Sequence, residues 1–114
     1  MAKVLMVLAQ APGLPNGDVE DRLEMELRLT PQGQLDMAAH GASPAPWVAR
    51  RSRPGQPIRV SELIRHDGGW VLQSVGHEDD PLWQFEGWVF RPGELVRLGR
   101  PDGTQLLFRI VQVE

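Results

Sequence analysis

The stretch RLEMELRLT, residues 22–30, sets Leu23, Met25, Leu27 and Leu29 on alternate positions, with Arg22, Glu24, Glu26 and Arg28 between them. Successive side chains of a strand point to opposite faces, so period two gives this segment one apolar and one charged face. It predicts a half-buried strand of an antiparallel sheet. TPQG follows, in which Pro31 pre-sets φ and Gly33 is free to re-enter QLDM, so a hairpin or sharp corner is expected there.

Other segments carry the same kind of text. MAKVLMVLAQAP ends in an Ala-x-Ala from Ala9 to Ala11, but the run Val4 to Ala9 is shorter than the roughly 7–15 residues of a signal-peptide core. It reads as a strand. WVLQSV and LWQFEGWVF have strand composition, the second with a bulge expected around Gly87. LVRL, the turn RPDG and QLLFRIVQV form the strongest local hairpin, and the last strand, apolar on both faces for part of its length, is expected to be central in its sheet. IRVSELIRHDGG reads as a strand followed by one helical turn from Ser61 to His66, stopped at Asp67-Gly68-Gly69. Ala38 to Pro57, dense in Pro, Gly, Ser and Ala, reads as a long surface loop pinning Trp47 into a groove.

An echo runs through the second half. Arg53-Pro-Gly, Ile58-Arg59-Val60 and Asp67-Gly68 are matched by Arg91-Pro-Gly, Val96-Arg97-Leu98 and Asp102-Gly103, with Trp47-Val48 and Trp88-Val89 ahead of the two units. Residues 47–75 and 88–113 are thus either a duplication or two uses of the same turn chemistry, since Pro-Gly and Asp-Gly each favour tight turns. Together these signals predict a mainly β fold, a small antiparallel β-barrel or rolled sheet with one short helix, α+β being the alternative. At 114 residues the chain has length for one core, and a single domain over residues 1–114 is expected.

Composition closes several functional classes. Without cysteine there is no thiolate catalysis, no disulfide and no cysteine-held metal, which also points to a cytoplasmic address. Lys3 is the only lysine and no phosphate-binding loop motif occurs, so Schiff-base, Ser-Lys and phosphate-loop chemistries have no residue to use. Ser43, Ser52, Ser61 and Ser74 stand in no nucleophile elbow, and His40, His66 and His77 are too dispersed for a local metal spacing. No run approaches the roughly 20 apolar residues of a helical membrane span. Arginine in place of lysine, with much Ala, Gly and Pro, fits a bacterial chain from a GC-rich genome.

Charge is banded. Residues 47–66 hold Arg50, Arg51, Arg53, Arg59 and Arg65 against Glu62, and residues 67–90 hold Asp67, Glu78, Asp79, Asp80 and Glu86 against no base. The bands are expected to compensate each other at the surface. The residue types most used at binding hot spots fall in and near them. The candidate contact surface is therefore Trp47, Arg50, Arg51 and Arg53, the acidic turn His77, Glu78, Asp79 and Asp80, and the pair Trp83 and Trp88, which a bulge at Gly87 would bring together. The leading expectation is a non-catalytic module that binds a protein partner or a second copy of itself, without cofactor or membrane. Single-stranded nucleic-acid binding through the Arg/Trp loop is the first alternative, disfavoured by the net charge of −3. A small-ligand or metal-binding barrel is the second.

Overall fold

In the computed structural model, which describes residues 1–114, the alternation of Leu23, Met25 and Leu27 is matched by inward-facing apolar residues on other strands. Strands β1 (Ala2–Gln10), β2 (Asp18–Leu27), β3 (Trp47–Ser52), β4 (Arg59–His66), β5 (Gly69–Ser74), β6 (Trp83–Glu86), β7 (Leu95–Gly99) and β8 (Gln105–Val113) pair in chain order. Every pair is antiparallel, and β8 returns to β1 to close the barrel. Closure removes the edges at which a small sheet would otherwise be open to pairing with other chains. The expected mainly β barrel is what the chain forms, and the amino-terminal segment is a strand.

Seventeen buried side chains form one core, among them Val4 and Met6 from β1, Met25 from β2, Leu63 from β4, Phe85 from β6 and Phe108 from β8. They fill the middle of the barrel, as expected for eight strands. Two bulges keep the phase where β1 meets β8. The register slips between Leu5 and Met6 opposite Ile110 and Gln112, so Val111 turns outward while Ile110 is buried.

Three local expectations change. The short helix is α1 (Met37–Ala42), with Asp36 Oδ1 accepting from Ala39 N at 3.0 Å, and Ser61 to His66 continues β4 as strand. Ser61 sits at an inward position near a polar end of the barrel, so it looked like a helix cap when read along the chain alone. The loop expected over Ala38 to Pro57 contains most of α1 and all of β3. In β3 the inward positions are Trp47, Ala49 and Arg51, an alternation that an arginine hides. No edge-against-centre distinction applies to β8, which pairs on both sides. No helix is long and apolar enough to cross a membrane.

The turns at Thr30–Gly33 and Arg100–Gly103 form as expected, closed by Gly33 N to Thr30 O at 2.9 Å and Gly103 N to Arg100 O at 3.0 Å. The echoed Asp-Gly pairs, however, make different turns. At Asp67-Gly68 both residues take positive φ, +50° and +77°, in a two-residue hairpin between His66 and Gly69. At Asp102-Gly103 only the glycine does, after Pro101. The two Arg-Pro-Gly turns also lie at opposite ends of the barrel, one before β4 and the other before β7.

Candidate functional site

Up-and-down order gives the barrel two ends with different occupants. One end receives the loops 11–17, 53–58, 75–82 and 100–104, and the other receives the 28–46 segment, the 67–68 turn, the 87–94 segment and both termini.

The second end is closed. Phe90 is fully buried there, stacked on Phe85 at 6.0 Å between ring centroids, and its N–H donates to Gly33 O at 2.8 Å. A Cβ at Gly87 would come within 3.1 Å of Phe90 Cζ and 3.2 Å of Val96 Cγ2, so glycine here lets the plug sit without shifting by a few tenths of an ångström. The chain leaves β6 at Glu86, so the expected bulge is instead the strand's exit. From α1, His40 lies edge-on between Trp47 and Trp70, at 4.8 and 4.7 Å, with Nε2 2.8 Å from Leu63 O. Trp47 is therefore a core residue and not part of a contact surface.

The first end is open, and a cavity of about 200 Å³ enters the barrel there. Its floor is apolar, made by Leu72 and Leu98, with Leu23 and Ala49 on the walls in register with Arg51 and Ser61. Above the floor stand Ser61 and Ser74, which face each other across the β4–β5 ladder, and Trp83. At the rim are four guanidiniums, of Arg51, Arg53, Arg59 and Arg100. Arg51 and Arg59 follow the inward phase of β3 and β4, and Arg53 and Arg100 extend the inward phase of β3 and β7 one step past the strand ends.

The four arginines are not equivalent. Arg51 forks onto Asp21, Nε to Oδ1 at 2.9 Å and Nη2 to Oδ2 at 2.7 Å, with side-chain exposures of only 19% and 6%, and its guanidinium lies 5.6 Å from the Phe108 ring centroid. A two-pronged, largely buried pair of this kind holds its geometry. Arg59 Nη2 donates to Asp80 Oδ2 at 2.9 Å, tying β4 to the 75–82 loop, but both side chains are about two-fifths exposed. The Arg53 carbonyl accepts from Gln56 N at 3.1 Å, and its guanidinium makes no ion pair or hydrogen bond within the chain. Arg100 lies on the Trp83 ring with Cζ 4.0 Å from its centroid, and its Nε is buried without an acceptor. Leaving a buried donor unmet costs about 1–3 kcal/mol. Two guanidiniums at the rim therefore have no carboxylate partner, and one of them is held by stacking at a cost.

The candidate contact surface expected from the sequence is split by this geometry. Arg51, Arg53 and Trp83 meet at the mouth, and Asp80 reaches it through Arg59. Arg50 points outward toward Glu26, 4.0 Å away. His77, Glu78 and Asp79 stay in the exposed 75–82 loop, where Glu78 Oε1 accepts from Gly76 N at 3.1 Å. Trp88 lies at the opposite end from Trp83 and is 85% exposed, so the two indoles do not come together. No three His, Asp or Glu side chains converge on a metal position. Of the arginine band only Arg59 pairs with the acidic band, through Asp80, while Arg51 and Arg50 find acids on β2.

Arg59, Ser61, Ser74 and Arg100 belong to the mouth and were not in the expected set. Arg59 and Ser61 carried a period-two signal with Leu63, masked by reading Ser61 as a cap. Arg100 opens the RPDG turn, and nothing in that local text shows that its side chain turns into the mouth. No protein-family model matches the chain, and no curated protein or solved structure is significantly similar to it.

Proposed function

We propose that the protein binds a small anionic ligand in the arginine-rimmed mouth of its barrel. The observation that carries this reading is the pair Arg53 and Arg100, two guanidiniums with no carboxylate within ion-pair distance at the rim of a concave cavity, one of them held on Trp83 with an unmet donor. Barrel mouths are a common location for ligand sites, and convergent cationic groups above an apolar floor suit an anion. The reading is one of binding and not of turnover, since Asp21 and Asp80 are both engaged by arginines and are poor candidates for a free general base. Nucleic-acid binding draws less support, because Trp88, the one largely exposed indole, is at the other end from Arg53.

Titration of the uniformly labelled protein with inorganic phosphate, followed by amide, guanidinium and indole NMR signals, tests the reading. The expected result is saturable shifts confined to Arg53, Arg59, Arg100 and the Trp83 indole. These should be lost in Arg53→Gln/Arg100→Gln and retained in Arg50→Gln. Shifts no larger than those produced by equal ionic strength of sodium chloride would overturn it.

Self-association is a second reading, favoured by Trp88. Its indole stands near Leu95 on the outer surface of β6 to β8, with Arg97 paired to Glu86 at 3.6 Å and Arg91 to Glu94 at 3.5 Å in the same region. Charges of both signs beside an apolar centre suit a two-fold contact with a second copy. Sedimentation of the wild type should show a dimer that Trp88→Ser removes, and a monomer at high concentration would end this reading.

A further inference from the structure

The depth and lining of the mouth restrict the ligand further. Ser61 and Ser74 lie one inward position below the rim, and the floor residue Leu72 lies one position below Ser74. At about 3.3 Å per residue the floor therefore lies about 7 Å below the serines and about 13 Å below the rim, measured along the strands. Below it the barrel is filled, with Met25, Leu63, Phe85 and Phe108 all buried. No tunnel continues toward the closed end, so a long acyl chain has nowhere to go. The volume of about 200 Å³ lies below the roughly 300–1,000 Å³ of pockets that hold drug-sized ligands.

The lining is graded along that depth. Along β4 the lining passes from Arg59 to Ser61, along β5 from Ser74 to Leu72 and along β7 from Arg100 to Leu98, while Leu23 and Ala49 stand on the walls in register with Arg51 and Ser61. An inorganic anion would use only the top and leave the floor wet. A ligand that uses the whole cavity has a charged head and a short apolar body of one ring's length. Resting on the anion reading above, we infer that the mouth takes a small aryl carboxylate, inserted ring first. Its ring lies on Leu72 and Leu98, and its carboxylate accepts from Arg53 and Arg100.

Arg100 is the specificity-determining residue in this arrangement. Its guanidinium is held against Trp83, so its orientation is set before the ligand arrives, and a planar carboxylate matches the arginine fork better than a tetrahedral anion of the same charge. Ser61 and Ser74 provide hydroxyls at the height where a ring substituent would pass, which makes hydroxylated aryl carboxylates the natural extension of the class.

Calorimetric titration with benzoate, acetate, inorganic phosphate and benzyl alcohol tests this class on the intact protein. Benzoate is expected to bind at least about tenfold more tightly than acetate or phosphate, the gain of burying one ring, and about tenfold more tightly than the uncharged alcohol. Ring protons of bound benzoate should show NOEs to the methyl groups of Leu72 and Leu98. Arg100→Gln should bring benzoate down to the affinity of the alcohol, and Arg50→Gln should change nothing. Equal affinities for benzoate, acetate and phosphate would overturn the aryl class while leaving the anion reading intact. Equal affinities for benzoate and the alcohol, or no binding by any probe, would overturn both.

Discussion

The two ends of the barrel are built from the same strands and differ in what their side chains do for one another. At the closed end Phe90 stacks on Phe85, and His40 fits between Trp47 and Trp70 with its Nε2 at Leu63 O. These rings pack within the chain and contribute to stability, although Trp88 at the same end stays exposed. At the open end Arg51 is satisfied by Asp21, while Arg53 and Arg100 have no carboxylate partner and a buried Nε goes unmet. A protein under pressure only to be stable would close both ends alike. The asymmetry is what the proposed anion site rests on.

The comparison can be broken most forcefully at the plug. Phe90→Ala removes a fully buried ring and should cost about 3–5 kcal/mol in urea unfolding, with phosphate shifts at the mouth unchanged in the fraction that remains folded. Loss of both together would show that the two ends are not separable. Asp21→Ala should have the next largest effect. It strands Arg51 at a site close to water, so a cost of about 2 kcal/mol is expected, below that of a fully buried pair. The same change frees a third guanidinium, so phosphate should bind more tightly to this less stable protein, and weaker binding would contradict the assignment of Arg51 to a structural pair.

The smallest effect concerns pH. Asp102 stands in the turn beside Arg100, and its carboxyl is held below its ordinary value, chiefly by the Thr104 N–H that donates to Oδ1 at 2.9 Å and by further hydrogen bonding to Thr104, with Arg100 assisting. A lowered folded-state pKa means that the carboxylate contributes stability above its unfolded value of about 4, and that this is lost as pH falls through the lower folded value. Thermal midpoints measured from about pH 2 to 5 should fall slightly less steeply in Asp102→Asn than in the wild type. An unchanged slope would remove Asp102 from the acid response.

Much of the fold was legible residue by residue. Leu23, Met25 and Leu27 declared a one-sided strand, and Thr30–Gly33 and Arg100–Gly103 declared their turns, because strand phase and turn chemistry are set by neighbours in the chain. The site was legible only in part. Arg51 and Arg53 stood out as charges in a Trp-containing segment, but so did Arg50, which faces the opposite way. Trp47 and Trp88 looked equivalent to Trp83, yet one is core, one is exposed at the far end, and only Trp83 lines the cavity.

The sequence by itself determined the β class, the alternation that makes one face of a strand apolar, the turn positions and the exclusion of lysine and cysteine chemistries. Those properties depend on residue types and short-range geometry. Only the tertiary structure decided which arginines meet. Whether an inward side chain ends in the packed middle, at the plugged end or at the open rim depends on register and on closure of β8 against β1, which bring Arg100, just past β7, to the mouth that Arg51 and Arg59 share on the paired strands β3 and β4. Up-and-down order then sends alternate turns to opposite ends, and that is why Arg53 and Trp83 share a mouth while Arg91 and Trp88 do not.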